Sequence, residues 1–86
     1  MRVISQDGTL DMPYEICTLW CRGSVIMCDM CGDNTTKTVL ATYSTDKKAQ
    51  KAMEMLREQY KKYIGASVNI YGCFQFPNDD EIEVET

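Results

Sequence analysis

Cys17 and Cys21, followed by Cys28 and Cys31, form the densest set of chemically capable residues in this chain. Four thiolates could hold a tetrahedral zinc, and Cys28-Asp29-Met30-Cys31-Gly32 has the spacing of half a zinc knuckle. The other half fits less well. Cys17 and Cys21 fall in a β-prone run, where residues four apart lie about 13 Å from one another along the strand. Zinc–sulfur bonds of about 2.3 Å span that distance only if the strand bends sharply. Three readings of the thiols therefore stand side by side: a zinc module, a redox Cys-x-x-Cys pair, and reduced cysteines packed as small hydrophobes.

Acid–base chemistry has little to work with. The chain contains no histidine, so the usual base near neutral pH and the commonest metal ligand are both missing. A serine or cysteine nucleophile would need another activator. No glycine-rich phosphate loop of Walker or Rossmann form occurs. The expectation is a protein that is not an enzyme and that carries no cofactor.

Binding chemistry is better supplied. Arg2, Arg22 and Arg57 are the three arginines, and arginine grips phosphate bidentately and stacks on rings. Arg22 stands in a turn beside Trp20, and Arg57 precedes Tyr60 on a helix. Asn69, Tyr71 and Phe74 share the last strand. The candidate ligand-binding set is thus Trp20, Arg22, Arg57, Tyr60, Asn69, Tyr71 and Phe74, able to sandwich a planar base and hold phosphate. The competing reading makes the aromatics core and the arginines solvated.

The elements that must position these groups follow from periodicity. Arg2 to Ser5 and Thr9 to Met12 flank Gln6-Asp7-Gly8, a strong hairpin signal, with Pro13 closing the second strand. Glu15 to Cys21 and Ser24 to Met30 are joined by a turn at Arg22-Gly23. After loop residues Gly32-Asp33-Asn34, Thr38 to Tyr43 is a further short strand. Ser44 is the expected N-cap of a helix whose apolar stripe is Ala49, Ala52, Met53, Leu56, Tyr60 and Tyr63, with Gly65 at its end. Ser67 to Phe76 returns to β character before Pro77. The expected fold is α+β: one antiparallel sheet of about five to six strands with a single amphipathic helix packed on it.

At 86 residues there is room for one domain, expected over 1–77, followed by an acidic, solvated tail over 78–86. A chain this short has a thin stability margin, which favours help from an oligomer, a metal or disulfides. The net charge of −4 and pI near 4.6 oppose bulk nucleic-acid and anionic-membrane binding, while leaving room for a small anionic ligand. With no membrane span and no signal-peptide core in view, the expected location is the cytoplasm.

Several segments together resemble a known group of proteins. They are Met1-Arg2-Val3-Ile4-Ser5-Gln6-Asp7-Gly8, Pro13-Tyr14-Glu15, Ala41-Thr42-Tyr43-Ser44-Thr45, Lys51-Ala52-Met53-Glu54-Met55-Leu56-Arg57 and Phe74-Gln75-Phe76-Pro77. In this order, across nearly the whole chain, they are similar to small proteins of Firmicute phages and prophages, and to phage Thoeris anti-defence proteins. That resemblance implies a homo-oligomeric sponge in the host cytoplasm. It would bind cyclic ADP-ribose-type or cyclic oligonucleotide signals (those of Thoeris and CBASS immunity) without cleaving them. The chain departs from the group in the short stretch from Tyr63 to Tyr71, where relatives carry a longer insertion, and no ligand residue carries over by motif. Two alternatives remain: a phage accessory protein that inhibits a host protein by direct contact, through its acidic end or an added strand, and the zinc module.

Overall fold

A computed structural model describes residues 1–30, 37–65 and 72–84. Six strands and one long helix follow in the order β1 (Arg2–Ile4), β2 (Asp11–Pro13), β3 (Cys17–Arg22), β4 (Val25–Met30), β5 (Thr38–Thr42), α1 (Asp46–Gly65) and β6 (Cys73–Gln75). Short 3-10 turns at Tyr14–Ile16 and Asp79–Glu81 complete them. The α+β class stands, but the single antiparallel sheet does not. There are two three-stranded sheets, β2-β1-β6 and β3-β4-β5, and β6 runs parallel to β1.

Local chemistry explains the division. Pro13 ends β2 and has no N–H to continue a ladder; the turn at Tyr14–Ile16 then redirects the chain into β3. The helix separates β5 from β6 and provides the long crossover that a parallel partner for β1 requires. The expected strand from Ser67 to Phe76 is seen over Cys73–Gln75, and its residues 67–71 lie outside the described ones. So do Cys31 and the Gly32-Asp33-Asn34 loop.

Both tight turns form where Gly was expected. Gly8 has φ +78° and Gly23 φ +63°, left-handed values that other residues adopt only with strain. Arg22 pairs with Val25, so Gly23 and Ser24 make a two-residue hairpin loop. In the first turn, the Asp7 carboxylate accepts from the Ser5 hydroxyl (2.7 Å), the Thr9 hydroxyl (2.7 Å) and the Thr9 backbone N–H (3.0 Å). These donors hold its pKa down at about 2.

The helix begins one residue later than the sequence suggests. Thr45, not Ser44, caps it, its hydroxyl accepting from the Lys48 N–H at 3.2 Å. Ala49, Ala52 and Leu56 bury completely, Met53 and Tyr60 partly, and Tyr63 is 36% exposed. The buried row meets Ile26 and Cys28 of β4, Leu40 and Ala41 of β5, Val3 and Met12 of the other sheet, and Phe76 just past β6 in one core. Leu40 and Ala41 are neighbours, yet both point inward. A bulge opposite Ile26 and Met27 breaks the alternation that a regular strand would impose.

The acidic end differs from the solvated tail expected of it. Ile82 is buried in the core, and Asn78 and Glu81 cap each other reciprocally around the 3-10 turn. Asp79 ties this segment to the helix start: its carboxylate accepts from the Ser44 N–H (2.7 Å) and the Lys48 ammonium (3.2 Å). Tyr43 donates its hydroxyl to the Pro77 carbonyl at 2.8 Å. Like charges repel along the segment, but an isoleucine and a hydrogen-bonded aspartate outweigh that repulsion.

Candidate functional site

Antiparallel partners share a face, and this rule sorts the candidate residues. Cys21 pairs with Ile26 and Leu19 with Cys28, so the odd-numbered residues of β3 look toward the helix. Trp20 pairs with Met27 and Arg22 with Val25, placing both candidate residues of β3 on the opposite, outer face. Arg57 lies on the helix side: its guanidinium is near enough to Cys21 to offset part of the upward pKa shift that burial causes in that thiol. Tyr60 is on the same side, with its ring 4.7 Å from Tyr14 at a tilt of 56°, and Tyr63 follows at 6.3 Å.

Phe74 belongs to the other sheet. It packs edge-on against Phe76 with centroids 5.3 Å apart. Asn69 and Tyr71 lie outside the described residues. The expected single site is therefore divided, with Trp20 and Arg22 on the outer sheet face, Arg57 and Tyr60 on the helix, and Phe74 beside β1. No base could touch Trp20 and Arg57 together, because the sheet stands between them.

Phe74 does line a groove. An open hollow of about 270 Å³ runs between α1 and β6, bounded by Lys51, Glu54, Met55, Glu58, Gln59, Lys62 and Phe74. Lys51, Met55, Glu58 and Lys62 recur at three- and four-residue intervals along one helix flank. That flank was readable as a solvated charged face, and nothing in the sequence alone said that a strand would run beside it. Lys51 leans toward Glu54 at 3.9 Å, an exposed and weak pair. The groove thus offers two ammonium groups, two carboxylates, one amide and one half-buried ring. Its volume is just below the range of about 300–1,000 Å³ typical of ligand pockets.

A second hollow of about 250 Å³ is bounded by Gln6, Gln75, Phe76, Pro77, Asn78 and Glu81. Its polar groups are largely committed. Gln6 donates from Nε2 to the Pro77 carbonyl (3.1 Å) and accepts from the Thr42 N–H at Oε1 (3.1 Å), and Glu81 holds the Asn78 N–H at 2.9 Å.

The thiols sit apart from both hollows. Cys17, Cys21 and Cys28 are free, face inward and have pKa values pushed up, chiefly by burial. Cys17 donates from Sγ to the Pro13 carbonyl at 2.9 Å. A thiol held protonated is a poor nucleophile and a poor metal ligand. Among the described residues no three His, Cys, Asp or Glu side chains converge as a metal cluster. Nor, among them, does any helix have the length and apolar character to cross a membrane.

No family model matches the chain, and no curated protein or solved structure matches it. Any reading of its function rests on the residues themselves.

Proposed function

We propose that this chain binds a small anionic, ring-bearing ligand of the cyclic nucleotide class and releases it unaltered, acting as a sequestering protein rather than an enzyme. One observation carries the reading: the α1–β6 groove is lined by the Phe74 ring together with Lys51 and Lys62, the two lysines about 16 Å apart along the helix. A base can stack on the ring while phosphate meets the lysines, and Gln59, Glu54 and Glu58 offer partners for exocyclic amines and ribose hydroxyls. With no histidine, and with the described inward thiols held protonated, the residues on hand favour capture over cleavage. The resemblance to phage anti-defence sponges points the same way.

Native mass spectrometry against a panel of cyclic ADP-ribose-type and cyclic dinucleotide ligands tests this. The expected result is an adduct of intact nucleotide mass that Lys62→Glu weakens by at least ~10-fold, since a charged hydrogen bond contributes roughly 1.5–3 kcal/mol. Absence of any adduct, or recovery of cleaved nucleotide, would sink the reading.

A second reading, contact with a host protein, draws on the outer face of β3-β4-β5. Trp20, Val25 and Met27 lie there half-exposed, and Val39 is 49% exposed. Loss of activity on Trp20→Ala with ligand capture intact would favour it. The zinc module is not proposed, for want of a converging set of ligands among the described residues.

A further inference from the structure

Every open sheet has edges, and unprotected edges join to other chains. Three of the four edges here are blunted. β2 is three residues long and closes on Pro13, with Arg2 of β1 reaching diagonally to Asp11 at 2.8 Å. β6 is also only three residues long. β5 is covered by Gln6, whose N–H donates to the Leu40 carbonyl at 2.8 Å and whose Oε1 accepts from the Thr42 N–H.

β3 carries none of these devices. It is six residues long, Cys17-Thr18-Leu19-Trp20-Cys21-Arg22, and the first five are uncharged. Among the described residues, the one bond to its backbone from outside β4 is local, from the Cys17 N–H to the Tyr14 carbonyl at the start of the strand. Its inward residues show the same openness. Cys17, Leu19 and Cys21 are only partly buried, whereas Ile26 and Cys28 across the ladder are 0% and 1% exposed. Ile16, just ahead of the strand, is 49% exposed.

The strand is also close to symmetric about Leu19. We infer that β3 pairs antiparallel with β3 of a second copy of this chain, across a two-fold axis through Leu19, to make one continuous six-stranded sheet. In that register Cys17 faces the partner's Cys21, Thr18 faces the partner's Trp20, and the two leucines meet on the axis. Inward residues stay inward and outer residues outer, as the period of two requires. Arg22, the one charge on the strand, comes to face the partner's Ile16, so the pairing covers an exposed isoleucine twice by symmetry. The four-residue interval between Cys17 and Cys21, too long for one zinc, is the interval that this register needs to bring unlike cysteines together. Buried area from one strand pair is modest, at the low end of the interface range of about 1,200–2,000 Å², so the dimer forms in a concentration-dependent way.

Sedimentation velocity and diamide cross-linking of the whole chain test the pairing. Facing residues in an antiparallel pair have Cα atoms about 4.5–5.5 Å apart, within the span a disulfide bridges. Diamide takes one hydrogen from each thiol and becomes a hydrazine as the S–S bond forms. The expected result is a dimer whose covalent trapping is lost in both Cys17→Ser and Cys21→Ser but kept in Cys73→Ser. Leu19→Lys, placing two like charges on the axis, should raise the dimer dissociation constant at least ~10-fold. Thr18→Lys, at an exposed position, repeats that test without touching the core. A monomer at all concentrations, or trapping that depends on Cys73 instead, would overturn the inference.

Discussion

The two faces of the β3–β4 hairpin are built from alternate residues of the same twelve, yet they have opposite fates. On the inner face Ile26 and Cys28 are sealed beneath Ala49, Ala52 and Leu56. On the outer face Trp20, Val25 and Met27 remain half-exposed, with Arg22 at one end and Asp29 at the other. Composition favours the inner face, since Thr18, Arg22 and Asp29 interrupt the outer one, but composition does not by itself seal it. The helix does, by presenting two alanines that let its backbone approach closely and a leucine that fills the space between. An apolar face without such a cover is available for other uses.

That contrast can be broken in three ways. The largest effect should come from neighbouring truncations on β4. Ile26→Ala should cost about 2–5 kcal/mol in denaturant unfolding, while Met27→Ala, one residue on but facing out, should cost about 1 kcal/mol or less. Equal costs would mean that the outer face is as well packed as the inner. Next in size is Gly23→Ala, which strains the left-handed turn that sets which residues point where, at roughly 1–2 kcal/mol. A larger loss, with changed Trp20 fluorescence, would show that the register had slipped. Smallest is an acid effect at the first hairpin. Asp7 has its folded pKa lowered from 3.8 to about 2, so its contribution is fully present above the unfolded value and disappears as pH falls through the folded one. Stability should therefore decline between about pH 4 and pH 2, and Asp7→Asn should flatten that decline. Trp20, the lone tryptophan, reports both transitions by fluorescence.

How much of this was readable beforehand depended on how local the cause was. The helix, both glycine turns and every described strand arise from neighbouring residues, and each was visible in the pattern. The parallel pairing of β6 with β1 was not, because nothing near Cys73 specifies a partner some seventy positions away. The acidic segment misled because a count of charges cannot weigh Ile82 against its neighbours. The candidate site fared likewise. Arg22, expected in a turn, ends β3 on the same face as Trp20, and placing Arg57 relative to them required knowing which side of the sheet the helix would take. Phe74 was found for its ring, while Lys51 and Lys62, which share its groove, looked like ordinary helix surface.

The bond from Gln6 to the Pro77 carbonyl joins positions 71 apart in the chain. On a ribosome this has a temporal meaning. The β3–β4 hairpin, and then α1, can form as they emerge, since their contacts are near in sequence. β1 must wait, made first and completed last, until Phe74 and Phe76 leave the exit tunnel. During that interval β1, paired with β2 alone, leaves its other edge exposed in a crowded cell, and long-range closure of this kind is the slow step of folding. Birth order thus makes the N-terminal strand the one most in need of a chaperone.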